Sequence, residues 1–310
     1  METKPKVIVI CGPTASGKTS LSIAVAKAVG GEIISADSMQ IYKDMDIGTA
    51  KVTKEEAQGI SHYLIDVIQP NQRYSVADYK IAAEQAIETI LEKGKVPIIV
   101  GGTGLYVDAL IYGIEYPEIT FDASYREQLE KQVEEKGLQT LYEQAKAIDP
   151  EACKKISEND QKRILRILEI FHATGKNKTW HEIESRKKGV AYDYQVYALD
   201  MERELLYDRI NRRVDSMLEK GLIQEVQRLL EKYTEFPTAM QGLGYKEVVE
   251  YLKGNYNEEE MKEIIQQESR RYAKRQLTWF RKNKQTVWLT TRGTSEDEQN
   301  NLSIILEGMK

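Results

Sequence analysis

The eight residues GPTASGKT, Gly12–Thr19, constrain this chain more than any other feature. They follow the apolar run KVIVIC at 6–11 and open a helix-forming stretch at 18–29. The pattern G-x-x-x-x-G-K-[ST] therefore stands in the strand–loop–helix context that a phosphate-binding loop requires. Its four fixed positions arise by chance in about one chain in a hundred of this length, and in that context more rarely still. The loop Gly12, Pro13, Thr14, Ala15, Ser16 and Gly17 turns backbone N–H groups inward, Lys18 sets a point charge on phosphate oxygens, and the Thr19 hydroxyl can ligate Mg²⁺.

Short apolar runs alternate with helical stretches through the first third of the chain. Strands are expected at 6–11, 32–35, 62–67 and 97–100, and helices at 18–29 and 75–92. That alternation means a parallel sheet covered by helices. From about Phe121 to Tyr192 the pattern is helical at three-to-four spacing, with little strand signal. QVYAL at 195–199 and TVWLT at 286–290 then resume strands, with long helices from Glu202 and from Glu258 to Arg281 between them. The expected architecture is α/β: a P-loop NTPase-like parallel sheet flanked by helices, formed by 1–120 plus 194–310, with an inserted all-helical domain at 121–193.

Composition narrows the class. Charged residues make up 30% of the 310 and hydrophobic ones 41%, which suits a globular protein and excludes a disordered one. The longest apolar runs span about five residues, where a bilayer needs roughly 20. A strand begins almost directly after METKPK, so no signal peptide is expected. Two cysteines, Cys11 and Cys153, make neither a disulfide framework nor a four-cysteine zinc site, which points to a reducing compartment, most simply the cytoplasm. The net charge of −5 argues at first against a nucleic-acid partner. Its distribution argues the other way: 270–284 holds seven Lys/Arg and no acid, and 161–188 holds eight basic residues against three acids.

Two further sites follow strands. Asp37, in ADSMQIYKDMDIGTAK, stands at the carboxyl end of the second strand, where open α/β sheets bind ligands. An acid there can hold Mg²⁺ or take a proton from a nucleophile, or it can simply cap its own loop. GGTGLY, Gly101–Tyr106, follows the fourth strand; it reads either as a close-packed turn or as a ligand contact, with the Thr103 hydroxyl in the same crevice. No acid closes that strand, which counts against simple ATP hydrolysis. Arg209 and Arg213 share one helical face. Trp279 and Phe280, set among basic residues, read as core rings ahead of base-stacking ones, and the three histidines are too scattered for a metal site.

GPTASGKT, ISADSMQIYKDMDIGTAK, VGGTGLY, QKRILRILEI, GLGYKE and YAKRQLTWFRK, in this order and at these intervals, resemble the tRNA dimethylallyltransferases, also called tRNA isopentenyltransferases. The resemblance runs from about residue 6 to 290. Val52 stands where the family often has proline, and the zinc-finger extension of eukaryotic relatives is missing. The resemblance implies Mg²⁺-dependent transfer of a dimethylallyl group from dimethylallyl diphosphate to N6 of adenosine 37 of tRNA. It makes Asp37 the general base, Thr103 a hydrogen-bond partner of the bridging oxygen, and Arg209 and Arg213 pyrophosphate contacts beside the P-loop. For tRNA it implies Asp37, Ser38, Met39, Gln40, Thr103, Arg126, Gln161, Lys162, Arg163, Ile164, Leu165, Gln241, Gly242, Leu243, Gly244, Tyr245 and Lys246. Three other readings remain at this level: a small-molecule kinase, a prenyltransferase acting on free adenine nucleotides, and an RNA-binding ATPase switch. The helical insertion and basic stripes favour a macromolecular acceptor over the two small-molecule readings.

Overall fold

The structure, a computed structural model, describes residues 4–116, 122–187 and 189–310. The chain divides into two compact units, one made of the chain up to Ile111 and from Ala191 onward, the other Tyr112–Val190. The second unit begins earlier than the expected 121, a position that lies outside the described residues.

The first unit is built on six parallel strands: β1 (Lys6–Cys11), β2 (Gly31–Ser35), β3 (His62–Tyr63), β4 (Val96–Gly101), β5 (Asp193–Met201) and β6 (Val287–Thr291). Their order is β3-β2-β4-β1-β5-β6. β1 is central, pairing Ile8 with Ile98 of β4 and with Gln195 of β5. The sheet therefore continues across the helical excursion, as QVYAL and VWL indicate. Val7, Ile8 and Ile10 are fully buried, because helices cover both faces of a parallel sheet. The third strand is shorter than the sequence suggests: Leu64 and Asp66 take left-handed backbone angles (φ 61° and 57°), which end the pairing after Tyr63.

Local signals set the helix limits. Gly30, at φ 64°, closes the helix Lys18–Val29. Reciprocal capping boxes, Ser75 with Asp78 and Asn257 with Glu260, start Val76–Glu92 and Glu258–Phe280. Phe280 is buried in the sheet core, and the Trp279 ring packs against the same cluster while its Nε1 donates to Asp108 at 2.9 Å. Both rings are structural. So are the cysteines: Cys11 and Cys153 are free and buried, and burial pushes the Cys11 thiol up to about 12.

In the second unit, Ala123–Lys136, Leu138–Ile148 and Gln161–Thr174 close around Leu129, Leu141, Ala145, Ile164, Leu165 and Leu168. Asp149, 1% exposed, joins its ends by accepting from the Ala152 amide at 3.0 Å and the Thr179 hydroxyl at 2.6 Å. Among the described residues no helix is long and apolar enough to cross a membrane.

One buried charge on β2 gives a test of the sheet edge. Burial works to raise the Glu32 carboxyl, but Lys95 (2.6 Å), Tyr63 (2.7 Å) and Lys93 (3.1 Å) all donate to it and bring it down to about 2. A carboxyl held below its ordinary 4.5 adds stability that is complete above about pH 4.5 and lost as the pH falls toward 2. Glu32→Gln should lower the urea midpoint at pH 7, and the gap to the unaltered protein should narrow steadily between pH 4.5 and 3. A gap of constant size over that range would show that these bonds do not depress Glu32.

Candidate functional site

The carboxyl end of the sheet forms a cavity of about 520 Å³, lined by residues of the first unit alone. The loop after β1 supplies one wall. Gly12 (φ 143°) and Gly17 (φ 96°) take angles that side chains oppose, and a Cβ at Gly12 would press on the Leu199 backbone at 3.1 Å. Ser16 Oγ donates to the Pro13 carbonyl at 2.8 Å, and Lys18 Nζ donates to the carbonyls of Gly12 (3.1 Å) and Pro13 (2.6 Å). Burial pulls the Lys18 ammonium from 10.5 down to about 8; nearby Arg213 adds to the fall and Asp37 opposes it. Burial likewise lowers Arg213, again opposed by Asp37. Two half-buried cations beside one carboxylate, with further amides at a helix start, make an arrangement suited to an anion.

Asp37 lines this cavity together with Ser38, Met39 and Gln40. Its Oδ1 accepts from the amides of Met39 (2.9 Å) and Gln40 (3.3 Å), so the loop-capping reading holds for one oxygen. The carboxylate shares the cavity lining with Lys18 and Arg213, and its charge favours the charged form of both. Thr103 Oγ1 accepts from the Ser38 amide at 3.0 Å and donates to Ser38 Oγ at 3.3 Å, fixing the GGTG turn to the Asp37 loop. GGTG is itself close-packed: a Cβ on Gly101 would lie 2.1 Å from the Ala36 carbonyl, and one on Gly104 2.3 Å from the Trp279 ring. Gly101 and Gly102 line the cavity, and the Thr103 hydroxyl is turned to Ser38 and is not part of that lining.

Arg209 and Arg213 line the cavity on the helix Arg203–Glu219. Arg209 Nε donates to the Ala15 carbonyl at 2.8 Å, and Arg213 reaches the Thr49 carbonyl at 3.5 Å. Gln241, Gly242, Leu243 and Lys246 line the cavity as well. Tyr245 is 1% exposed and donates to Glu225 Oε1 at 2.6 Å. Glu225, itself 2% exposed, also accepts from the amides of Asp46 (3.0 Å), Ile47 (2.8 Å) and Gly48 (3.2 Å). Tyr245 and Glu225 therefore hold the DIGTAK loop to the QGLGYK stretch.

The helix Glu258–Phe280 adds Ile265, Ser269, Tyr272, Arg275 and Gln276 to the lining, none of which the sequence singles out as a residue of this cavity. Burial pushes the Tyr272 phenol up to about 12, with Asp37 adding to the rise and hydrogen bonding to Thr103 and Gln276 opposing it. Positions 265, 269, 272 and 276 recur at helical spacing, which marks one face but not what it meets.

Of the other expected nucleic-acid residues, Arg126, Gln161 and Lys162 line a separate shallow cleft in the second unit. Arg126 is engaged there by Glu130 (2.7 Å) and Glu169 (2.8 Å), and Arg163 by Asp160. Ile164 and Leu165 are a correction: both are 0% exposed in the core of the second unit, so their side chains are unavailable to any partner. Among the described residues, no group of three His, Cys, Asp or Glu side chains could hold a metal ion. A divalent ion here would instead use the Thr19 hydroxyl with oxygens of its ligand and water, the coordination habit of Mg²⁺.

Comparison with known proteins follows this geometry. The family model described as IPP transferase matches residues 40–283. A tRNA dimethylallyltransferase of Acetivibrio thermocellus is 50% identical over 294 residues, covering 94% of each chain, and one of Halothermothrix orenii is 51% identical over 91% of this chain and 86% of its own. Among solved structures, the full-length tRNA isopentenylpyrophosphate transferase of Bacillus halodurans is 42% identical with a TM-score of 0.73, over 98% of this chain and 96% of that one. A eukaryotic dimethylallyltransferase described as acting on tRNA is 30% identical with a TM-score of 0.82, over 97% of this chain and 77% of its own. With the family model spanning residues 40–283 and relatives of this identity over nearly the whole length, the chain belongs to the IPP transferase family.

Proposed function

We propose that this protein transfers a dimethylallyl group from dimethylallyl diphosphate to N6 of adenosine 37 of a tRNA, releasing diphosphate. One observation carries the reading: the Asp37 carboxylate lies in the same cavity as the half-buried cations Lys18 and Arg213. Transfer of an allyl group from a diphosphate needs that juxtaposition, an anion site for the leaving group beside a proton acceptor for the nucleophile. Relatives named for this reaction, at half identity over the chain, support it.

In this mechanism the N6 lone pair forms the new bond to C1 of the allyl group while the C1–O bond breaks. The departing diphosphate gathers charge against Lys18, Arg213, Arg209 and the amides of the loop, which stabilise it more in the transition state than in the substrate. Mg²⁺ on the Thr19 hydroxyl would supply further charge neutralisation on that group. Asp37 takes the N6 proton through the oxygen not used by its loop. An adenine amine is a weak nucleophile because its lone pair is delocalised into the ring, so proton removal and close placement are what the protein must provide. Thr103 hydrogen-bonds the bridging oxygen. The target base must leave its stack to reach such a cavity, and Met39, Leu243 and Tyr272 offer packing for it.

Asp37→Asn keeps an oxygen for the Met39 and Gln40 amides but removes the base. It should slow prenyl transfer by roughly 10²–10⁴-fold with little change in donor affinity. Normal turnover of this variant on tRNA with radiolabelled donor would end the general-base assignment.

Lys18 sets a pH dependence. Its free-state value of about 8 lies below the ordinary 10.5, so above pH 8 the ammonium is lost and must be regained when a diphosphate binds. Phosphate oxygens with a second ionisation near about 6 are already deprotonated there. Donor affinity, followed by calorimetry, should fall by up to about tenfold per unit above pH 8, and Lys18→Met should bind weakly with no such slope.

The tRNA would also meet the second unit through Lys162, Arg163 and Arg166, which are exposed on Gln161–Thr174. Replacing all three by Ala should weaken tRNA binding and flatten its salt dependence, because fewer counterions are released. Donor binding should be unaltered. Equal affinities and salt slopes in titrations at two salt concentrations would remove this surface from the interface.

A further inference from the structure

Gln276 bridges the two loops to which the proposed chemistry is assigned. It is 6% exposed, so its amide has little recourse to water. Its Oε1 accepts from the Thr14 amide of the phosphate-binding loop at 2.9 Å, and its Nε2 donates to the Gly102 carbonyl of GGTG at 2.9 Å. The fit leaves no slack: a Cβ on Gly102 would lie 2.1 Å from that Nε2.

We propose that Gln276 is a positioning residue for prenyl transfer, locking the P-loop to the GGTG turn so that the diphosphate and the Thr103 hydroxyl keep one register. The inference rests on the reaction proposed above. Thr14 is part of the diphosphate cradle, and Thr103 fixes the Ser38 amide beside Asp37. Through Gln276 these become one hydrogen-bonded chain: Thr14 amide, Gln276, Gly102 carbonyl, then one residue on to Thr103, Ser38 and Asp37. The amide is suited to the task because one group must accept and another must donate, at opposite ends of a single planar unit. Glutamate would turn a second acceptor toward the Gly102 carbonyl, and methionine of similar length would make neither bond. The Thr14 N–H is thereby committed to protein and not to ligand. Gln276 touches neither reacting atom in this scheme; it acts through the two loops.

Displacement of a catalytic group by about 1 Å can cost on the order of 10²-fold in rate while the ligand still binds. Gln276→Met should therefore lower kcat roughly 10–100-fold, with the dissociation constant of Mg²⁺–pyrophosphate, measured by calorimetry, changed less than about threefold. Gly102→Ala should do the same by expelling the Gln276 amide. The double variant should be no slower than either single one, since both remove the same bridge. All rates are taken well below each variant's melting temperature, so that a merely structural role appears as a lower Tm with kcat retained. Three results overturn the proposal: kcat within twofold of the unaltered protein, additive losses in the double variant, or a loss of pyrophosphate affinity equal to the loss of kcat. The unaltered protein on tRNA and dimethylallyl diphosphate is the separate control. If it transfers nothing while binding pyrophosphate, the reaction assignment fails and the positioning role in prenyl transfer falls with it; if it is active, only the Gln276 results decide the bridge.

Discussion

The Lys18 ammonium is the charge around which the cavity is arranged. A cation drawn out of water and set beside the Arg213 guanidinium is costly, and the protein offsets that cost only in part, with the carbonyls of Gly12 and Pro13 and the Asp37 carboxylate. In the proposed reaction a diphosphate meets the remainder, and the same three groups would take distinct roles as charge moves from the C–O bond to the leaving group. Everything that holds Lys18, Arg213 and Asp37 together serves that arrangement: the left-handed glycines of the loop, the Thr49 carbonyl under Arg213, and the Thr103–Ser38 contact.

The motifs were legible in the sequence because their chemistry is local. A phosphate-binding loop needs its strand, its glycines and its lysine within fourteen residues, and all are contiguous here at 6–19. The α/β alternation and the resumption of the sheet after the helical stretch were legible for the same reason, since a buried parallel strand leaves an apolar run. What could not be read was contact between distant segments. Gln276 lies 262 residues from Thr14, and Glu225 lies 177 from Gly48; a buried glutamine or glutamate has the same letter as an exposed one. Glycine was ambiguous in the same way. GGTG signalled close approach, and only the fold shows that Ala36 and the Trp279 ring are what approach.

Ile164 and Leu165 show the cost of carrying a motif over whole. QKRIL suggests one contact surface, yet on a helix consecutive residues point in different directions. Lys162 and Arg163 face solvent, while Ile164 and Leu165 close the core of the second unit. The apolar pair holds the helix on which the basic residues stand, a structural role within a segment whose charges face solvent.

The net charge of −5 and a polyanionic substrate are reconciled by distance. At physiological ionic strength charges are screened beyond roughly 8 Å, so a phosphate responds to the cations it touches and not to the total. Several acids are engaged by local partners: Glu32 by two lysines, Glu225 by backbone amides, Asp46 and Asp66 by Lys51. Each such pairing removes a negative charge from the reach of an approaching backbone. In the 270–284 stripe, Arg271, Lys274 and Arg275 stand exposed on the helix whose buried face carries Gln276 to the cavity, and Arg281, Lys282 and Lys284 stand exposed just beyond its end. One helix thus presents charge outward and the Gln276 amide inward, so the sign of the whole chain does not set the charge that a ligand meets at this end of the sheet.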